Sequence, residues 1–527
     1  MLYFFYLFLG TLFLYSTTVF VYLCDQATKH KVVFSPARLG SPLKNKYIHV
    51  KTNYTIPPLF LFFLLLSMSS FAQTSDEVLR LLLQKGLVTQ AEVDSLQAKE
   101  QQVTQSKDKT FYIGSEIKPR FEYRDGYRFL REDSTVAGLQ VLSRVRLNIG
   151  YEQDKKLKVF ISIQDARTWG QYDPRSTGGT IQLFEGYAEP FLTPKITARI
   201  GRQKIMLDNQ RLFAQNDWRP NAGAHDGVSF HYVGSKIQTS VYAAFNQSNP
   251  EAFFNTSYQP AWSTYKYLGV YFLKYQLPKN VTFTTINALD GFEDKAAVAK
   301  NYNRYTNGGR LEWEEGNFYA TFSGYYQWGQ NSKGAALSAW YIQPEVRYSN
   351  KRFNNIVRLG AEVLSGSDNT NKTVTQDNSF VPLYGVAHRF NGYMDFFTSF
   401  PQDLNNAGLI NPYLFVEQKI NSKFSLHAHF HLFYAQNKLV NASKQEMSPY
   451  VGFENDYVLN YKPNKFTELE FGFSYANMTA SAAAMKEPGA DAINPLNKTS
   501  TGGNPDLMPT WGYLQIKINP ELFRTRF

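Results

Sequence analysis

The sequence predicts an all-β fold: a transmembrane, up-and-down antiparallel β-barrel of about 18 strands, with a short N-terminal helical periplasmic segment. Three observations predict it. From Phe111 onward, apolar and polar residues alternate with a period of two. The connections between these segments alternate long and short. Aromatic residues make up 16% of the 527 residues, with 35 Tyr and 42 Phe, yet mean hydropathy is −0.37. A helical membrane protein needs about 20 apolar residues in a row for each span. A barrel strand needs only every second residue to meet lipid.

The period is plain in the first strand. Phe111, Ile113, Ile117, Phe121 and Tyr123 form one face, and Glu116, Lys118, Arg120, Glu122 and Arg124 the other. In the second, Val141, Val145, Leu147, Ile149 and Tyr151 alternate with Gln140, Arg144, Arg146, Asn148 and Glu152. The same pattern predicts strands at 111–124, 139–152, 157–164, 181–190, 195–204, 225–233, 236–246, 265–276, 280–290, 303–315, 317–329, 335–350, 353–365, 408–420, 423–435, 448–461, 465–477 and 511–519. Short turns fall at Asp154-Lys155, Thr193-Pro194, Gly234-Ser235, Pro278-Lys279, Gly316, Asn350-Lys351, Asn421-Ser422 and Pro463-Asn464. Long connections fall between them, as expected of external loops opposite tight periplasmic turns. A soluble sandwich has no such two-beat rhythm.

Residues 1–72 read as a leader. An apolar run at 57–68 follows Lys44, Lys46 and Lys51 and precedes small residues at Ser70 and Ala72. These are the parts of a secretory signal, with cleavage expected after Ala72. The upstream apolar segment from Leu2 to Cys24 has no role in that signal. Residues 1–49 are therefore expected to lie upstream of the true translation start, near Val50; a membrane anchor is the alternative. Cys24 is the only cysteine, and Tyr22-Leu23 before it lack the small residues of a lipoprotein site. The mature chain then has no thiolate ligands or disulfides. It carries 49 Lys+Arg against 43 Asp+Glu, a net charge of +6. That excess is too scattered for nucleic acid. Residues 73–110 read as a small helical segment and linker: an apolar helix from Val78 to Leu83, then a second capped by Thr89 and carrying Val93 and Leu96. The barrel occupies 111–527. Its last strand leads to a terminal Phe527, which resembles the signal read by the β-barrel assembly machinery.

Four stretches resemble the alginate-export porin family. They are Gln164 to Gly170; Gly201-Arg202-Gln203 with Gln210-Arg211, Trp218-Arg219 and Asp226-Gly227-Val228; Glu362 to Asp368 with Pro382 to Gly385; and His388 to Phe397. The resemblance covers about 111–527 and rests on the order and spacing of the stretches. It implies an 18-stranded porin of the Gram-negative outer membrane that passes an acidic polysaccharide. The helical segment before the barrel is not part of that pattern.

A polyuronate carries one carboxylate per sugar, and arginine meets carboxylate with a planar, two-pronged fork. By parity, Arg120, Arg124, Arg144, Arg146, Arg199, Arg310, Arg347 and Arg358 are expected on the lumen face, with Glu116, Glu122, Glu152, Glu312, Glu345 and Glu362. Arg167, Arg202, Arg211, Arg219, Asp165 and Asp226 join the expected solute path through the resemblance. Strict alternation sets Arg202 on the lipid face, so a bulge at Gly201 is expected to re-aim it. Arg211 and Arg219 lie in the following long loop, and Asp226 is expected to partner one of them. The connection from Gly366 to about Ala407 is expected to fold inward and narrow the pore, carrying His388, Arg389, Asn391 and Asp395. His388 reads as a structural histidine, and Asp395 as a partner for Arg389. Tyr123, Tyr127, Trp169, Tyr172, Tyr348, Phe353, Tyr457 and Tyr461 read as an interfacial girdle.

The expected function is therefore a passive, monomeric porin for an anionic solute or acidic polysaccharide, seated in outer-membrane lipid, with no cofactor, metal or catalytic residue. An uptake channel for small anions or oligosaccharides is the nearest alternative. A plugged structural barrel or a barrel enzyme comes from another class. The barrel contains no Gly-x-Ser-x-Gly elbow and no His-Glu-x-x-His motif.

Overall fold

The computed structural model describes residues 83, 89, 91, 92, 94, 108–172, 181–246, 265–294, 300–368, 370, 376–486 and 502–527. The chain divides into two compact units, 1–95 and 96–527. In the first, Thr89 and Glu92 form a reciprocal cap: the Thr89 N–H donates to Glu92 Oε2 at 2.8 Å, and the Glu92 N–H to Thr89 Oγ1 at 3.3 Å. The leader, its cleavage site and most of the helical segment lie outside the described residues.

The second unit is a closed antiparallel barrel. Its strands are β1 (Lys109–Asp125), β2 (Gly138–Gln153), β3 (Leu157–Thr168), β4 (Gln182–Thr193), β5 (Ile196–Gln203), β6 (His225–Val233), β7 (Ile237–Phe245), β8 (Tyr267–Leu277), β9 (Val281–Glu293), β10 (Asn301–Glu315), β11 (Phe318–Gln330), β12 (Ala336–Asn350), β13 (Asn355–Leu364), β14 (Gln376–Asp377), β15 (Leu409–Lys419), β16 (Phe424–Ala435), β17 (Tyr450–Asn464), β18 (Thr467–Met478), β19 (Thr510–Ile518) and β20 (Glu521–Arg526). Neighbours in sequence pair around the ring, and β1 closes it against β19 and β20. Two of the twenty are not separate staves. The two-residue β14 lies in a loop and pairs with β12 in parallel. β19 and β20 are one closing stave broken at Asn519-Pro520, where proline has no N–H to give the ladder; its carbonyl still accepts from Ser115 at 3.1 Å. Eighteen staves result, as the sequence predicts. The expected last strand at 511–519 is too short, because pairing resumes beyond the proline.

Alternation holds around the wall. Phe121, Val145, Ile161, Phe230, Phe322, Val346 and Phe473 are exposed outward, while Arg120, Arg144, Gln164, Glu345 and Asp456 are buried inward. Four tyrosines lie flat over a glycine directly across the ladder: Tyr112 over Gly150, Tyr267 over Gly291, Tyr413 over Gly360 and Tyr513 over Gly472. A side chain at these glycines would occupy the ring's place, so each pair fixes local register.

The interior is not an open tube. Residues 204–224, between β5 and β6, and the described residues of 376–408, between β13 and β15, fold into the barrel. Tyr384 joins them, donating its N–H to Leu212 O at 2.9 Å and accepting from Ala214 at 3.2 Å. Leu212, Phe213, Phe380, Met394, Phe396 and Phe397 form one apolar core with the wall residues Ala244, Val270, Ile286, Ala339 and Tyr341. Here the inward positions are apolar, because they meet loop and not water.

Gly472→Val is expected to displace the Tyr513 ring and destabilise the barrel by about 1–3 kcal/mol, read as the urea midpoint of the refolded protein in detergent. A Cβ at Gly269 meets nothing within 4 Å, so Gly269→Ala should leave the midpoint unchanged.

Candidate functional site

The inner face carries rows of arginine held by carboxylates. Glu122 receives Arg120 and Arg124, each at 2.5 Å. Glu116 receives Arg144 at 2.6 Å, and Arg146 donates to Gln164 at 2.8 Å. Arg199 meets Glu189 at 2.7 Å, Arg358 meets Glu345 at 2.7 Å, and Arg347 meets Glu314 at 2.9 Å. Arg310 reaches Asp208 at 2.8 Å and Glu312 at 3.0 Å. Parity brings these side chains to one face. The pairing then neutralises most of the charge it gathers.

The two loops are locked to this wall and to each other. At the base of the first, the fully buried Arg211 meets Glu362 of β13 at 2.6 Å and donates to Asn391 and Val386 of the second loop, both at 2.9 Å. At its tip, Asp217 accepts from Arg144 at 2.7 Å and pairs with Lys118 at 3.3 Å. Burial alone would raise the Asp217 carboxyl, but Lys118 and Arg144 outweigh it and hold it below the usual carboxylate range. Trp218 is sandwiched between the Arg120 guanidinium, 3.7 Å from its ring centre, and the His388 ring, stacked at 3.9 Å.

The second loop continues that column. Tyr393 stacks on the other side of His388 at 4.5 Å. His388 Nδ1 donates to Asp395 at 2.8 Å, and the Tyr127 hydroxyl also donates to Asp395. Asp395 too lies below its ordinary range, burial being outweighed by His388 and Tyr127. Two strand carboxylates seat the backbone: Glu454 accepts from Met394 N–H at 2.8 Å and Asp456 from Tyr393 N–H at 3.3 Å. Gly392 makes the approach possible. Its φ is +89°, and a Cβ there would sit 2.4 Å from Glu454 Oε1. Arg389 points away from this network. The residue is exposed, its guanidinium donates to the Asn209 carbonyl and lies 5.1 Å from the Phe390 ring centre, and among the described residues it has no carboxylate within 4 Å. Although the residue is exposed to the lumen, the protein that surrounds it displaces part of its hydration and lowers its pKa first, and the charge of Arg358 lowers it next. Tyr393 opposes them, and Arg211 and Arg310 add to the lowering.

Several sequence expectations need correction. Arg202 is not re-aimed by Gly201: it stays on the outward face with Ile200 and pairs at 2.6 Å with Asp226, its cross-strand neighbour. Both lie at strand ends by the long loops, where an outward charge costs about 0–1 kcal/mol and not the mid-membrane 2–4. Asp226 therefore partners neither Arg211 nor Arg219. Arg167 and Asp165 also face outward, in register with Ile161 and Ile163, and pair with each other. Arg219 is exposed, and only its carbonyl meets the wall, through Arg144 at 3.4 Å. Asp395 pairs with His388, not Arg389. Tyr127 is no girdle residue: its ring packs on Trp511 at 5.1 Å. Sequence reasoning missed Asp217, Asp208, Asp290, Arg304, Glu454 and Asp456. Parity could have found the last four. Asp217 and Asp208 sit in a loop, where no period marks which side chain turns inward.

Among the described residues, no cluster of His, Cys, Asp and Glu is arranged to hold a metal ion, and no helix is long and apolar enough to cross a membrane. The alginate-export family model matches residues 110–487. The chain belongs to the alginate-export family. Its barrel is an outer-membrane porin fold, and solved structures share it at low identity. OpdO of Pseudomonas aeruginosa is 10% identical with a TM-score of 0.52, covering 78% of this chain and 98% of its own. OccAB4 of Acinetobacter baumannii is 12% identical with a TM-score of 0.51, covering 79% and 99%. At that identity the likeness shows the fold alone. No curated protein matches this alginate-export family chain in sequence.

Arg211→Ala leaves Glu362 buried without its ion partner, a loss of about 3–5 kcal/mol, expected as rapid proteolysis within 204–224 and 365–408. Asp217 and Asp395 both titrate below the ordinary carboxylate value, so their stabilisation is complete above about pH 4 and is lost as pH falls through their lower folded values. Hydrogen-exchange protection factors at 215–223 and 388–397, each taken against the intrinsic rate at the same pH, should be flat from pH 8 to 5 and fall only at stronger acidity.

Proposed function

We propose that this barrel is a passive outer-membrane channel for anionic solutes of the acidic-polysaccharide kind, with the inward arginines as its selective surface and no catalytic step. Family membership supports the channel. Arg389 carries the anionic preference: an exposed cation, held on an inward loop near Arg358, Arg211 and Arg310, with no carboxylate partner among the described residues. The arginines around it are paired, and a passing carboxylate can reach them by exchange with Glu345, Glu312 or Glu122. Contacts of that kind are weak enough to release the solute, which conduction requires. Outer-membrane lipid surrounds the apolar belt, and the barrel acts as a monomer.

The test is ion selectivity of the refolded barrel in a planar bilayer under a KCl gradient. Wild type should pass chloride in preference to potassium and be blocked by oligouronates. Arg389→Ala should lower the anion-to-cation permeability ratio several-fold, and Arg389→Glu should bring it below one. Cation preference in wild type, or an Arg389→Glu channel as anion-selective as wild type, would overturn this reading.

A further inference from the structure

The strongest cation cluster of the inner wall is filled by the protein's own loop. Between positions 116 and 124 of β1 and 144 and 146 of β2, the lumen face presents Lys118, Arg120, Arg124, Arg144 and Arg146 against only Glu116 and Glu122. The first loop answers this excess. Its tip, closed by the Gly223 N–H donating to Gln215 O at 2.6 Å, turns at Asn216 with φ +52°. Asp217 then lies at 2.7 Å from Arg144, 3.3 Å from Lys118 and 3.9 Å from Arg146. The Trp218 ring lies flat on Arg120. Arg144 also donates to the Asp217, Arg219 and Pro220 carbonyls at 3.4–3.5 Å.

A carboxylate held by three cations, one residue from a flat ring on a guanidinium, is the pattern a hexuronate would present to the same wall. A sugar acid carries its carboxylate on a ring whose apolar face can lie against Trp or Arg. The fit of the tip is incomplete. Gln515 Oε1 and Trp218 Nε1 are buried with no hydrogen-bond partner among the described residues, and both side chains line the small cleft bounded by Lys118, Arg120, Arg144 and Arg219. A buried polar atom without a partner costs about 1–3 kcal/mol. Sugar hydroxyls could satisfy both, and the loop does not. The tip is held by the cation cluster itself, by Arg120 donating to the Trp218 carbonyl at 2.8 Å and by the Trp218–His388 stack. Its release breaks these side-chain contacts, while Arg211 and the backbone pairing with Tyr384 keep the base in place.

We propose that Lys118, Arg120, Arg144, Arg146 and Gln515 form a binding subsite for one uronate unit, and that Asp217-Trp218 is a tethered occupant which the solute displaces. This rests on the anion-channel reading above and adds to it a located site and a competitor. Binding of the sugar acid and release of the tip are then one exchange, in which one carboxylate leaves the cation cluster as another arrives.

The experiment measures block by trigalacturonate in a planar bilayer for wild type and Asp217→Asn, which keeps the side chain's size and removes its charge. Half-block should occur at about tenfold lower concentration in Asp217→Asn. Adding Arg144→Gln should abolish that gain. Sulfate, an anion without a sugar ring, should gain less than trigalacturonate. A measurement without substitution runs alongside: trigalacturonate should speed hydrogen exchange at 215–223 in the wild-type barrel. Equal block in wild type and Asp217→Asn, or exchange at the tip slowed or unchanged at full block, would overturn the tethered occupant while leaving an anion channel standing. A wild-type barrel that is neither anion-selective nor blocked would overturn the channel reading itself, and the subsite with it.

Discussion

A barrel of eighteen staves encloses more space than its own inward side chains can fill, and the rest of this structure follows from how that space is occupied. Two loops fold into it. Because they pack against the wall, the inward positions at Tyr242, Ala244, Leu268, Val270, Ile286, Leu337 and Ala339 are apolar, whereas those of β1 and β2 are largely charged. One side of the interior is thereby a dry core and the other a polar surface. The long loops are thus structural parts of the barrel, and the wall is shaped to receive them.

Filling the lumen makes every charge on the polar side expensive unless it is matched. Arg144, Arg211, Glu122, Glu362 and Asp456 are almost fully withdrawn from water, and each has hydrogen-bonding partners. Pairs of this kind add little net stability compared with apolar packing. They instead specify placement. Arg211 can satisfy its fork only where Glu362, Asn391 and Val386 meet, which sets the base of one loop against the other. The Arg120–Trp218–His388–Tyr393 column does the same higher in the loops. Arg389 lies outside all of these pairings, so the side of the second loop that carries it is free to meet something other than the protein.

Much of this was legible in the sequence. A period of two in strands such as Phe111–Arg124 marks membrane staves, and the alternation of short and long connections orders them. Parity also placed Arg120, Arg144, Arg310 and Arg358 on the inner face. What parity cannot see is partnership. Asp217, Asp208 and Trp218 reach the wall from a loop, and their partners are 73 to 102 positions away in the chain. At Arg167, Arg202, Asp165 and Asp226 alternation holds and the side chains face outward, against the solute path that the resemblance implies. The dry half of the lumen left a trace too: Tyr242 and Ala244 in β7 and Leu268 and Val270 in β8 make both faces of their strands apolar there, as a wall with protein inside and lipid outside requires.

The staves differ in length around the ring. β1 and β2 run 17 and 16 residues, whereas β5, β6 and β7 run 8, 9 and 9. At about 3.3 Å per residue and a tilt of about 40°, eight residues rise only about 20 Å, short of the apolar band of about 25 Å that such barrels present. The ion pair of Arg202 and Asp226 marks where the greasy surface stops on that flank. Lipid beside β5–β7 must therefore thin, or the whole cylinder must lean, to avoid stranding acyl chains against charge. The membrane around this protein is consequently lopsided, with a compressed sector on one flank that lipids of shorter chain would relieve.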